Sequence, residues 1–307
     1  MEAINRKTVY ALGFFDGVHI GHQSLLQTCR ELAESLHCKA GAVTFIQHPD
    51  ALVLGKAPKL LYPVKERRGL LSRYGMEQVV ELVFDKALQA MPWQDFIRLL
   101  AEQYGAAGFV CGADFRFGHK GQGTAESLQE YCRQAGFACR VVPQKIVDGT
   151  TVSSTHIRTL VEAGQMEAVS TLLGRPYAIT GPVQTGRQLG RDLGMPTANL
   201  HFEAGAVLPK FGVYACRALA EGQWYDGVCN IGARPTVAGE GITLECHLLD
   251  FDRDVYGKTV TVCLFSLLRP EKKFESLLSL KNQMENDVLS AKKVLKNKIF
   301  LYNGENL

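Results

Sequence analysis

The chain predicts an α/β domain with a mainly parallel sheet, followed by a small all-β barrel or sandwich and one long C-terminal helix. Three observations carry this. From residue 8 to about 142, β-like and helix-like runs alternate, the pattern of a sheet covered on both faces. After about residue 176 helical periodicity disappears, and short apolar runs separated by glycines take its place. A single amphipathic stretch then fills 274–300.

The first-half strands are expected at 9–14, 40–45, 78–84, 108–111 and 138–142, each a short apolar run bounded by turn residues. Helices are expected near 22–37, 64–74, 93–104 and 125–135; in the first of these, Leu25, Leu26, Cys29, Leu32 and Leu36 recur at helical spacing. Helices near 156–164 and 166–173 bridge the two parts. The later strands are expected at 177–183, 213–219, 224–229, 242–249 and 259–268. In the final helix, Leu277, Leu280, Met284, Val288 and Leu295 fall on or near one face. The expected division is therefore 1–175, with the bridging helices at its end, and 176–307.

The composition is that of an ordinary globular chain: 307 residues, 46% apolar and 21% charged. A net charge of +3 gives no reason to invoke nucleic acid, although the 34 Lys and Arg suit phosphorylated substrates. No stretch approaches the roughly 18 apolar residues of a membrane span. The first residues lack a signal peptide's apolar core. Nine scattered cysteines without a C-x-x-C pair read as reduced thiols. The expectation is a cytoplasmic protein, monomeric or a weak homo-oligomer, with no nucleic-acid or membrane partner.

The most informative segment is Gly13-Phe14-Phe15-Asp16-Gly17-Val18-His19-Ile20-Gly21-His22. It lies between the first strand and the first helix, where unpaired N–H groups at a positive helix end suit an anion. His19 and His22 add donors or cations beside it. They could instead be two ligands of a metal site, but Cys29, His37 and Cys38 complete no familiar ligand spacing. The chain has neither a GxxxxGK[ST] P-loop nor a GxGxxG fingerprint. Asp16 could hold the turn or orient a histidine. Further on, Ser153-Ser154-Thr155 can cap a helix with hydroxyls and amides directed at an anion, and Arg158 lies one turn later. A plain helix cap is the alternative. Asp114, in Gly112-Ala-Asp-Phe-Arg-Phe-Gly118, follows the fourth strand.

A second long signature spans 181–200 and includes Gly186, Gly190, Arg191, Gly194 and Pro196-Thr197-Ala198-Asn199. Thr197 and Asn199, separated by one residue, project to the same side of an extended chain. A hydroxyl and an amide oxygen there suit a hard cation such as Mg²⁺. In the run 243–252, alternation puts Glu245 on one face with Thr243 and His247, opposite Leu244, Cys246 and Leu248.

These motifs together resemble the prokaryotic bifunctional riboflavin kinase/FAD synthetases. The segment 13–22 is similar to their first HxGH signature and Val152-Ser-Ser-Thr-His-Ile-Arg158 to their ISSTxIR motif. Residues 181–200 are similar to the kinase signature GxVxxGxxLGRxxGxPTAN. The resemblance implies a Rossmann-like, HxGH nucleotidyltransferase domain followed by an all-β riboflavin-kinase barrel with a C-terminal helix. It implies MgATP-dependent phosphorylation of riboflavin to FMN by the barrel and adenylylation of FMN to FAD by the first domain.

His19, His22 and Arg158 would stabilise phosphates and the leaving group, and Glu245 would be the general base of the kinase. Gly13, Phe15, Asp16, Gly17, Gly21, His48, Asp114 and the Ser153–Ser154–Thr155 run would line the adenylyltransferase site. Gly186, Gly190, Arg191 and Gly194 would cover the kinase nucleotide, Thr197 and Asn199 would hold Mg²⁺, and Arg269 would contact flavin or nucleotide. Two stretches depart from the family pattern: Gln47 stands where a proline is usual, and 119–124 lacks the usual Arg and acid. A chain with only an efficient kinase, or a non-catalytic flavin sensor, are the alternatives.

Overall fold

In the computed structural model, which describes residues 7–185, 194–236, 239–296, 301–302 and 305–306, the first half builds one parallel sheet. Its strands are β1 (Thr8–Leu12), β2 (Lys39–Phe45), β3 (Gln78–Leu82), β4 (Ala106–Gly112) and β5 (Ala138–Val142). Their order is β3-β2-β1-β4-β5, with every pair parallel. Every residue of the central β1 is buried, as a strand covered on both faces requires. Helices α1 (Ile20–Ser35), α2 (Val64–Arg73), α3 (Trp93–Tyr104) and α4 (Ala125–Ala135) provide the crossovers. Tyr10, Val43, Phe96, Ile97, Phe109 and Leu128 form the core on one side. The strand order reverses between β1 and β4. The turns following these two strands therefore sit at the topological switch point, where such sheets bind ligands.

The chain divides into two compact units, Met1–Ser154 and Thr155–Leu307. In the second, α5 (Ser154–Ala163), whose first residue still belongs to the first unit, and α6 (Met166–Leu173) precede the strands β6 (Tyr177–Pro182), β7 (Ala198–His201), β8 (Gly212–Ala220), β9 (Gln223–Thr236), β10 (Gly239–Leu248) and β11 (Thr259–Pro270). They form one antiparallel sheet in the order β6-β11-β8-β9-β10-β7. A bridge from Gln184 N–H to Asn199 O, at 2.9 Å, joins its two edges into a nearly closed barrel. Tyr214, Cys216, Cys229, Ile231, Leu244, Cys246 and Val262 are fully buried in it. The long helix α7 (Leu277–Leu295) packs on β8, β9 and β11 through Ala291 and Leu295. Its N-cap is Ser276, whose side chain forms a capping box with Ser279, so the helix starts at Leu277, three residues later than the apolar pattern from Phe274 indicates. Strand β7 was not expected, because a four-residue strand next to Pro196 reads as part of a turn. Among the described residues no helix is long and apolar enough to cross a membrane.

Candidate active sites

The first site grows from the end of β1. The backbone leaves the strand at Gly13 and turns sharply, with positive φ at Phe15 (59°), Gly17 (81°) and Val18 (41°). Glycine suits this conformation at residue 17, whereas Phe15 and Val18 adopt it at a cost. Side-chain contacts with distant segments hold the turn. The Asp16 carboxylate, 1% exposed, accepts from Leu61 N–H at 3.0 and 3.2 Å and from Tyr62 N–H at 3.4 Å. Thr44 Oγ1 donates to Phe14 O at 2.9 Å, and Ser154 Oγ donates to Asp16 O at 2.9 Å. The last bond brings the two distant sequence motifs together.

His19 is the N-cap of α1: its Nδ1 accepts from His22 N–H at 3.3 Å, which places a neutral ring's hydrogen on Nε2. The two imidazoles stack with centroids 3.6 Å apart, and Phe15 meets His22 edge-on. Gly21 packs against the His19 ring. Two adjacent imidazoles at a helix N-terminus form a surface suited to polyphosphate.

Beside this turn, the Phe14 ring lies between the His48 ring, 4.5 Å away, and the Arg67 guanidinium, 4.1 Å away. Arg67 is fully buried, donates to Phe45 O at 2.5 Å, and is drawn below its ordinary pKa by burial. Sequence reading missed it; the only signal was an arginine on the apolar face of a predicted helix. The turn after β4 places Asp114 at the surface, where Gln144 Nε2 donates to it at 2.9 Å. Phe117 is core and Phe115 packs on it. The departing loop 119–124 is anchored by His119 N–H to Met91 O at 2.8 Å. Ser153 precedes α5. Thr155 and Arg158 belong to the second unit, where Arg158 Nη1 donates to Thr155 Oγ1 at 3.4 Å.

The second site is a pair of cavities in the barrel unit. One, of about 250 Å³, is lined by Thr197, Asn230, Glu245, His247, Arg269 and Phe274 among others. The other, of about 440 Å³, is lined by Val183, Thr197, Asn199, Asp254 and Tyr256 among others. Thr197 borders both. Asn199 and Glu245 are directly paired across β7 and β10. Asn199 Nδ2 donates to Thr197 O at 3.2 Å, which leaves its amide oxygen as the acceptor. Leu244, Cys246 and Leu248 are buried on the opposite face from Glu245, as alternation requires.

Arg269 reaches the first cavity with its fork engaged: Nε and Nη2 bond the Asp287 carboxylate of α7 at 2.7–3.1 Å. Phe274 sits near both Arg269 and Lys272. Asp287 was not found from sequence; its signal is an acidic residue on the apolar stripe of α7. Gly194 lies just before this site with φ 78°, and Gly186, Gly190 and Arg191 fall outside the described residues.

Comparison with known proteins matches each half of the chain to a family model. Residues 1–156 match the FAD synthetase family model and residues 173–295 the riboflavin kinase family model. A bifunctional riboflavin kinase/FMN adenylyltransferase of Bacillus subtilis is 35% identical over 288 residues, covering 92% of this chain and 90% of that one. Its counterpart from Escherichia coli K12 is 36% identical over 294 residues, covering 95% and 94%. A crystal structure described as a macrolide-efflux protein from Streptococcus pneumoniae superimposes with a TM-score of 0.86 at 29% identity, covering 96% of both chains. With both family models matched in this order, and relatives that span nearly its whole length, the chain belongs to the bifunctional riboflavin kinase/FMN adenylyltransferase family.

Proposed function

We propose that the barrel unit phosphorylates riboflavin to FMN with ATP and that the site built on residues 13–22 adenylylates FMN to FAD, releasing pyrophosphate. The observation that carries this reading is the wall between the two barrel cavities. Thr197 borders both, and Asn199 and Glu245 face each other beside it. A donor nucleotide in the larger cavity and an acceptor alcohol in the smaller one would meet there.

Glu245 takes the proton from the ribityl 5′-hydroxyl as that oxygen attacks the γ-phosphorus; the bond to the β-phosphate oxygen breaks and ADP leaves. The Thr197 hydroxyl and the Asn199 amide oxygen, left available by the Nδ2 bond, are hard oxygen donors that would hold Mg²⁺. When bound, Mg²⁺ supplies neutralisation of phosphate charge. At the first site an FMN phosphate oxygen attacks the α-phosphorus of ATP, and the bond to pyrophosphate breaks. The amides at the start of α1, His19, His22 and Arg158 offset the charge on that leaving group. Asp114 and His48 line the neighbouring nucleotide surface, Phe15 is fully buried and backs His22 rather than touching a ligand, and Arg269 orients Phe274 toward the flavin.

We place the functional boundary at 175/176, with α5 and α6 as the bridge; the kinase match beginning at residue 173 supports this. The enzyme acts on small molecules as a cytoplasmic monomer or weak homo-oligomer with no nucleic-acid partner, in keeping with its net charge of +3. Incubation with riboflavin, ATP and Mg²⁺ is expected to give FMN and then FAD, and addition of EDTA to stop both. FMN accumulating without FAD, including when FMN is supplied directly, would refute the adenylyltransferase half.

A further inference from the structure

We infer that His247 is a positioning residue of the kinase site, donating to the Pro196 carbonyl where the β7–β10 ladder has stopped and so fixing Thr197 in the wall between the two cavities. This role rests on the kinase reading above. The β7–β10 register runs Thr243–His201, Leu244–Leu200, Glu245–Asn199 and Cys246–Ala198, and the next pair would be His247 with Thr197. The ladder stops at Ala198. Pro196 has no N–H to extend it, yet its carbonyl still needs a donor.

His247 Nδ1 lies 2.9 Å from Pro196 O. A carbonyl only accepts, so the hydrogen is on Nδ1, and the neutral ring keeps its lone pair on Nε2. The next carbonyl, that of Thr197, is held in turn by Asn199 Nδ2 at 3.2 Å. Two successive carbonyls beside the wall residue are thus held by side chains from the two strands that frame it. His247 is itself fixed in place: it is paired with Val228 on β9 and lies on the same face of β10 as Glu245, two residues away. All three line the smaller cavity.

Neither Thr197 nor Glu245 needs His247 for its chemistry. What His247 supplies is the placement of Thr197 relative to Glu245, and in phosphoryl transfer positioning dominates. Removing the bond should therefore be read mainly in ATP use, since Thr197 is the contact toward the nucleotide.

The test uses the full chain and three variants. H247L removes the donor, H247N keeps an N–H near the Nδ1 position, and H247Q carries its N–H out to the Nε2 position. H247L and H247Q are expected to raise KM for ATP in riboflavin phosphorylation about tenfold, the worth of one lost hydrogen bond. Their kcat should move less, H247N should stay near wild type, and FMN adenylylation should be unchanged in all three. A wild-type KM for ATP in H247L, or a rise only in KM for riboflavin, overturns the role. Imidazole ¹⁵N shifts of the wild-type protein give a readout independent of turnover: a hydrogen on Nε2 with none on Nδ1 overturns it as well. A wild-type chain that makes no FMN overturns the kinase reading and this role with it, whereas normal FMN formation with unresponsive variants overturns only the role of His247.

Discussion

Asp16 offers a direct measurement of what holds the phosphate turn together. Its carboxylate is 1% exposed and receives two backbone N–H groups, those of Leu61 and Tyr62, which are themselves 1% and 3% exposed. A hydrogen bond to a charged group contributes about 1.5–3 kcal/mol. The Leu61 contact, at 3.0 Å, should be worth this range, and the Tyr62 contact, at 3.4 Å, only a small part of it. Asp16→Ala should therefore destabilise the first unit by about 3 kcal/mol, or lower its melting temperature by about 6–12 °C. Asp16→Asn keeps one acceptor and loses the charge, and should cost about half as much. Urea unfolding followed with probes in each unit, together with hydrogen exchange at the Leu61 and Tyr62 amides, measures the effect. FAD formation should fall with it while riboflavin phosphorylation is retained. If Asp16→Ala unfolds at the wild-type midpoint with unchanged protection at Leu61, the carboxylate does not hold the turn, and a role on the histidines has to be taken up in its place.

Other outcomes follow from the same geometry. His22→Ala should suppress FAD formation and leave FMN formation intact, and Glu245→Ala should do the reverse, lowering kinase kcat by about 10²–10⁴ without abolishing it; product separation by chromatography distinguishes the two. Asp287→Ala leaves the Arg269 guanidinium, only 18% exposed, without its partner carboxylate, so α7 should loosen by about 3–5 kcal/mol and riboflavin should bind more weakly. Limited proteolysis around residues 271–296 and a flavin fluorescence titration read both effects. Burial pushes the Cys29 and Cys111 thiols up to about 12. Raising a thiol's pKa removes thiolate at lower pH, so at pH 8 a thiol reagent should label neither until urea is added, while the partly exposed Cys38 labels in the native protein.

Much of this was legible in the sequence because it is local. Strands β1 to β5 and the helices between them follow directly from apolar periodicity and turn residues, and the face of β10 that carries Glu245 follows from alternation alone. The bond between Ser154 and Asp16 was implied only indirectly, by two anion-binding motifs in one chain. What stayed hidden is tertiary. Phe14, His48 and Arg67 come from three separate segments, and no period of the sequence signals that they meet. Arg269 was visible as a candidate ligand, but its engagement with Asp287 joins β11 to α7 and depends on how the helix lies on the barrel. Strand β7 was hidden by its length, and with it the pairing that sets Asn199 opposite Glu245.

The two sites share a construction principle despite their different folds. Each lies where regular backbone pairing stops: the first beyond the end of β1, the second just before the start of β7. Ending a strand frees backbone groups for a ligand, and it also leaves the local chain without the ladder that would fix it. In both sites side chains take over that work. Asp16, Thr44 and Ser154 hold a turn in which two non-glycine residues have positive φ, each costing about 1–3 kcal/mol. His247 and Asn199 hold two carbonyls next to a proline that cannot extend its strand. The motif residues therefore fall into two groups. Asp16 and Ser154 hold the backbone, while His22, Thr197 and Glu245 are presented by it; His19 does both, since its ring caps α1. Substitutions in the first group should change stability and activity together, and in the second group activity alone.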